Sequence, residues 1–233
     1  PALVLTVPGS VAADTGMDVL THATEAYVSQ MASDYTDGLA LQAIKLVFEN
    51  LESSVKNADF HSREKMHNAS TIAGMAFANA FLGISHSMAH KIGAQFHTIH
   101  GRTNAILLPY VIRYNGTRPA KTATWPKYNY YRADEKYQDI ARMLGLPAST
   151  PEEGVASYAK AVYELGERVG IEMNFKAQGV DEKEWKEHSR ELAFLAYEDQ
   201  CSPANPRLPM VDHMQEIIED AYYGYKERPG RLK

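Results

Sequence analysis

Two short runs of this chain carry residue types able to share one metal ion. The first holds Asp18 and His22, four residues apart. On a helix that spacing puts both side chains on one face, about 6 Å apart. A carboxylate oxygen and an imidazole nitrogen at that separation suit two ligands of one divalent cation. Alone, such a pair is more often a solvated ion pair on a helix surface. The second run changes the balance. His86, His90, His97 and His100 are four of the chain's nine histidines, and His86 and His90 again share a helix face. The stretch before them, Ala76 to Ile84, is apolar and small, which predicts burial. Buried imidazoles without a metal or acid partner are costly, and one cation with a mixed oxygen and nitrogen shell removes that cost. A shell lacking thiolate points to Fe(II), Zn(II), Mn(II) or Co(II). Local spacing by itself selects Asp18, His22, His86 and His90, two facing pairs.

Helices must present these residues, and the sequence reads as almost nothing else. Apolar residues recur at helical spacing from Asp14 to Gln30 and from Thr36 to Leu51. A longer helix over Ser62 to Leu82 is rich in Ala and Gly, so another helix must come close and this one belongs centrally in a bundle. Thr150, Pro151 and Glu153 form a helix start. Asp181 with Glu184, and Asp212 with Gln215, repeat that logic. Helices follow at about 151–169, 181–198 and 211–224, joined by Gly- or Pro-containing turns. The expected fold class is all-α, a helical bundle over 10–233. One exception stands at the front. Pro1 to Pro8 (PALVLTVP) reads as a short buried β-strand. A lone strand is not stable, so this one needs a sheet that the rest of the chain does not supply, and the chain is expected to begin within a larger protein.

Bulk properties exclude several classes. With 233 residues, 45% hydrophobic and 23% charged, the composition is that of an ordinary globular protein. A net charge of −5 is too small to imply a polyanionic partner. The single cysteine, Cys201, rules out an internal disulfide framework and a cysteine-built zinc cage; in its Pro-rich turn it reads as structural. No run approaches the roughly 20 apolar residues that span a bilayer, and no signal pattern opens the chain. The expectation is a cytoplasmic protein with no membrane partner. Residues 101–133 contain no acid and interleave arginines and lysines with Tyr114, Trp125, Tyr128, Tyr130 and Tyr131. Such a stretch can bind single strands, but with overall negative charge a surface loop at a subunit contact is favoured, and no nucleic-acid partner is expected.

Several segments resemble the iron-dependent alcohol dehydrogenase family. They are Gly16 to Tyr27 (GMDVLTHATEAY), His86-Ser-Met-Ala-His90, His100-Gly101, and Asn104 to Pro109 (NAILLP). Ala76 to Gly83 and Asp199 to Arg207 (DQCSPANPR) add to the match. Within that family the chain is most similar to the alcohol dehydrogenase portion of bifunctional aldehyde–alcohol dehydrogenases, over nearly its whole length. By position, the resemblance implies Asp18, His22, His86 and His100 as iron ligands, with zinc as the alternative metal. It places His90 beside the metal, near substrate and nicotinamide, where an imidazole, which titrates near neutral pH, is the candidate to relay a proton to solvent. This selection conflicts with a straight helix from 86 to 100, which would separate its ends by about 21 Å. If both bind one metal the chain must turn back, at Gly93 or within Thr98 to Gly101.

The implied reaction interconverts a short-chain aldehyde and a primary alcohol with NAD(H), as in ethanol fermentation. In the resembling family an N-terminal α/β domain holds the dinucleotide through a glycine-rich turn. No such phosphate cradle is present here, so the resemblance implies that residues 1–9 are the remnant of a missing nucleotide-binding domain, that NAD(H) is bound mainly by that domain, and that this chain alone is inactive. The family implies a homo-oligomer or filament for the full-length protein. Two other readings stand beside it: a non-redox metal hydrolase on a helical scaffold, and a non-enzymatic oligomerisation module. His97 is left between pocket lining and a structural role. His61, His67, His188 and His213 read as surface residues, and Phe77 and Phe81 as core packing before substrate walls.

Overall fold

The computed structural model describes residues 1–119 and 131–224. Within them lie nine α-helices and two 3-10 turns, and no strand. The helices are α1 (Gly9–Val28), α2 (Asp34–Lys56), α3 (Phe60–Ala80), α4 (Ile84–Phe96), α5 (His100–Gly116), α6 (Ala133–Met143), α7 (Pro151–Arg168), α8 (Glu182–Tyr197) and α9 (Val211–Tyr223). The all-α expectation holds. No single described helix is long and apolar enough to cross a membrane.

The predicted strand does not form. Ala2–Val4 is a 3-10 turn, and Leu3 is 94% exposed rather than buried. A strand needs a neighbour for its hydrogen bonds, and the described residues offer none. Arg63 takes that place instead, donating to the Val4 carbonyl at 3.0 Å and to the Val7 carbonyl at 2.9 Å.

Local side-chain caps start four of the nine described helices. Ser33 caps α2 in a reciprocal box with Thr36. Asp59 caps α3, Thr150 caps α7 and Asp181 caps α8, each accepting from backbone N–H groups of the first turn. Asp212 does not cap α9; Met210 stands at that position, and the Asp212 carboxylate is drawn outward to Arg190.

The apolar side chains collect in two cores. One lies among α1, α2, α3, α6 and α7, around Met17, Leu20, Ile44, Leu51 and Tyr158. The other lies among α4, α8 and α9, around Met88, Trp185, Ile218 and Tyr222. Helix α5 joins them. Its Ala105, Leu108 and Ile112 face the first core, while Leu107, Tyr110 and Val111 face the second. A helix apolar on all sides belongs in the interior, so α5, not α3, is the central element. Only seven of the 21 residues of α3 are buried. Its alanines still do what small residues do: Ala69, Ala73, Ala76 and Ala80 let α3 lie close on α1 and α2.

Helix α3 meets α4 at a bend of 106°. Phe81 ends α3 with φ +61°, and this turn aims the N-terminus of α4 at α1. The second turn, between α4 and α5, decides the site. Helix α4 stops at Phe96, His97 adopts a left-handed conformation (φ 54°, ψ 32°), and α5 begins at His100. The reversal therefore occurs at His97 to Ile99, close to one predicted bend, while Gly93 stays inside α4.

Candidate metal centre

The site lies where α1, the first half of α4 and the first turn of α5 meet. Helix α1 presents Asp18 and His22 on one face, as their spacing predicts. Helix α4 presents His86 and His90, and the reversal at His97 returns His100 to them. Gly101 makes that return possible: a Cβ there would lie 2.2 Å from the Asp14 carbonyl oxygen. No residue with a side chain lets α5 press so closely on α1. Behind the contact, Arg102 holds buried Asp14 with two bonds, at 2.9 and 3.0 Å.

One Asp18 oxygen, Oδ1, faces two imidazoles. It is 3.8 Å from His86 Nε2 and 3.6 Å from His100 Nε2. Both distances are too long for hydrogen bonds. In a tetrahedral shell with bonds of 2.0–2.2 Å, donor atoms sit roughly 3.4 Å apart, so the three atoms are spaced as ligands of one ion. Donor atoms of Asp18, His86 and His100 all lie within 4.8 Å of one another. His86 supplies the sharpest sign. Its ring is 1% exposed, its Nδ1 bonds Glu25 at 2.6 Å, and its Nε2 is buried with no hydrogen-bond partner. An orphaned buried lone pair is costly, and a cation at this point would use it.

His22 stands against these three, its ring 4.4 Å from that of His86. Its Nδ1–H donates to the Asp18 carbonyl at 2.7 Å, which leaves Nε2 as the free donor atom. Phe77 stacks on its other side at 4.6 Å. Burial, with His86 adding to it, holds the His22 pKa below the usual imidazole range against the pull of Asp18. His100 is lowered for the same leading reason, with Asp18 opposing and His86 and His90 assisting. Both therefore tend to the neutral form that coordinates metals. Asn104, buried on α5, donates to Asp18 Oδ1 at 2.9 Å and to His100 Nε2 at 3.2 Å, so both lone pairs already point at a common donor.

His90 is built differently. It is 35% exposed and stacks on the His100 ring at 5.5 Å. Its Nδ1 bonds Asp199 at 3.1 Å, and Lys91 meets the same carboxylate oxygen at 2.9 Å. Burial works to raise the Asp199 pKa, but bonds from Lys91, the Cys201 N–H and His90 outweigh it and lower it. Cys201 is a buried thiol pushed up to about 12 by burial and then by the carboxylates Asp199 and Glu25, a state in which it is inert. His90 Nδ1 is held by Asp199 as His86 Nδ1 is held by Glu25, but the His90 ring centre lies 6.2 Å from that of His86, and the donor atoms gathered with Asp18 are those of His86 and His100.

Other predicted residues fall outside this cluster. His97 is exposed at the reversal and lines a cleft of about 440 Å³ with Arg102, Gln178 and Glu184. His61 and His67 are exposed, whereas His188 and His213 are half-buried. His213 bonds the Tyr114 hydroxyl at 3.0 Å, so it is not a plain surface residue. Phe81 is 55% exposed and does not pack in the core. Of the basic and aromatic stretch, Lys121, Trp125, Lys127, Tyr128 and Tyr130 lie outside the described residues. Arg102, Arg118 and Arg132 each pair with a carboxylate. Sequence reasoning missed Glu25, Asn104 and Asp199 as partners of the site. The only signal was their presence within the segments that carry the resemblance.

Residues 12–222 match the Fe-containing alcohol dehydrogenase family, C-terminal. Over its full length the chain is 97% identical to an aldehyde-alcohol dehydrogenase of Streptococcus pneumoniae, of which it covers 26%. It is 43% identical over 95% of its length to the bifunctional aldehyde-alcohol dehydrogenase of Escherichia coli, again covering 26%. The chain thus spans about a quarter of the length of these curated relatives. Among solved structures, the iron-containing alcohol dehydrogenase of Thermococcus thioreducens superposes with a TM-score of 0.84 at 35% identity, over 96% of this chain and 53% of that one. A 1,3-propanediol oxidoreductase gives 0.83 at 34%, over 95% and 54%.

Proposed function

Because the chain belongs to the iron-containing alcohol dehydrogenase family, as the helical C-terminal part of that fold, we propose that it supplies the metal-binding half of an active site interconverting a short-chain aldehyde and its primary alcohol. Iron is the metal of this reading, at Asp18, His22, His86 and His100, and NAD(H) is the hydride carrier. The carrying observation is His86 Nε2, buried without a partner and turned toward Asp18 Oδ1. The donor set agrees: one carboxylate and three imidazoles, no thiolate, suits Fe(II) and also Zn(II). The relatives named above are oxidoreductases, which leaves the hydrolase alternative without support.

Bound there, a divalent iron supplies Lewis acidity toward the substrate oxygen. The chain's own residues do the rest. Glu25 and the Asp18 carbonyl fix the orientations of His86 and His22 through Nδ1, while Asn104 occupies the His100 Nε2 lone pair that a bound metal would take over. Phe77 covers His22 and excludes water from that flank. His90 stands at the open side, with Nδ1 held by Asp199 and Nε2 available to exchange a proton between substrate and solvent. The dinucleotide is held mainly by an α/β domain outside this chain, since the sequence has no phosphate cradle. In the full-length protein the reading includes a cytoplasmic homo-oligomer.

The test is anaerobic loading of the chain with Fe(II), followed by elemental analysis and a turnover assay. One equivalent of iron, with little or no NADH oxidation in the presence of acetaldehyde, is the expected outcome. Failure to retain any divalent metal contradicts the reading.

A further inference from the structure

We propose that Glu25 is a positioning residue of the metal centre, holding the His86 ring in the tautomer and orientation that turn Nε2 toward Asp18 and His100. The inference rests on the metal-centre reading above. Glu25 lies two turns after Asp18 on the same face of α1 and is 2% exposed. A buried carboxylate normally needs a cationic partner or several hydrogen bonds. Among the described residues Glu25 forms no ion pair with Lys or Arg. Its bonds all go to one turn of α4. Oε1 accepts from the Ser85 N–H at 2.7 Å, and Oε2 accepts from the Gly83 N–H at 3.0 Å. The third and shortest bond, 2.6 Å, joins Oε2 to His86 Nδ1.

The first two bonds do the work of a helix cap. Gly83, at the N-cap of α4, has no side chain to serve its own helix, and an anion is favourable at a helix N-terminus. A Cβ on Gly83 would lie 2.9 Å from Glu25 Oε1 and 2.8 Å from Asn205 Oδ1, so the missing side chain is also what admits the carboxylate. A cap, however, needs only backbone donors. The bond to His86 fixes the ring proton on Nδ1 and leaves the Nε2 lone pair free, the form that binds a metal. Ser85 extends the arrangement, since its hydroxyl donates to Asn104 Oδ1 at 3.2 Å. Asn104 in turn donates to Asp18 and His100. One buried carboxylate thus anchors the turn to which three of the four candidate ligands are tied.

Two measurements decide it. The first is the imidazole tautomer of His86 in metal-free wild-type protein, read by long-range proton–nitrogen NMR at a pH where the ring is neutral. The signal is assigned by its loss in His86→Gln. The proposal requires the Nδ1–H form, and an Nε2–H form overturns it. The second is Zn(II) affinity of Glu25→Gln, by competition with a chromophoric chelator. Outer partners of metal-bound histidines typically carry 10- to 100-fold in affinity, and a loss in that range is expected. Wild-type affinity in a folded Glu25→Gln protein would reduce Glu25 to a helix cap and overturn the proposal. If Glu25→Gln does not fold, the wild-type tautomer still decides. If wild type binds no metal, the dehydrogenase reading fails, while the tautomer still reports whether Glu25 orients His86.

Discussion

Helices α1 and α4 each carry two candidate residues four positions apart, Asp18 with His22 and His86 with His90. The spacing is the same, but the surroundings are not. On α1 both side chains face the centre, and the Asp18 carbonyl itself orients His22. On α4 the pair divides. His86 is enclosed, with Glu25 behind it and an unsatisfied nitrogen in front. One turn later His90 is half-open and held by Asp199, which it shares with Lys91. A helical period places two residues on a common face. What each does there is set by partners far away in sequence: Glu25 for one, Asp199 for the other. In the proposed ligand set the fourth place goes to His100 rather than His90, and the reversal at His97 is what brings His100 to Asp18.

The largest way to break this comparison is at Gly101. Gly101→Ala would bring a methyl group to 2.2 Å from the Asp14 carbonyl, so α5 must back away from α1. Overpacking of this kind typically costs about 1–3 kcal/mol. Chemical denaturation should show that loss, and metal affinity should fall further because His100 moves with α5. An unchanged affinity would mean that His100 is not tied to the position of α1. A smaller effect comes from pH. His22 and His100 both have folded pKa values lowered by burial, so around the ordinary imidazole value the unfolded chain binds more protons than the folded one. Stability of the metal-free protein then falls as pH drops from about 7 to about 5. The urea midpoint should follow, and replacing His22 with Gln should flatten the dependence.

Much of the fold was legible because helical periodicity and capping are local. Asp181 and Thr150 start their helices where their side chains predict. Pro1 to Pro8 forms no strand because an apolar, β-branched run bounded by prolines says nothing about whether a neighbouring strand exists, and Arg63, 59 residues after Val4, bonds the Val4 and Val7 carbonyls. Helix α3 was placed too centrally for a related reason. Small residues report a close neighbour on one face, and the opposite face, with His67 and Thr71, is exposed. Of the candidate ligands, Asp18, His22 and His86 are proposed by residue type and spacing alone. His100 is not: it needed either the family resemblance or sight of the left-handed turn at His97, a conformation uncommon for any residue but glycine. Glu25 and Asp199 lie in segments that carry the resemblance, but neither residue type nor spacing marks which of the 29 acidic residues turns inward to meet an imidazole.

The most direct test compares metal content of wild type, His100→Ala and His90→Ala after anaerobic Fe(II) loading. The account predicts stoichiometric iron in wild type and in His90→Ala, and its loss in His100→Ala. Iron kept by His100→Ala and lost by His90→Ala would restore the two facing pairs and contradict the centre described for α1, α4 and α5.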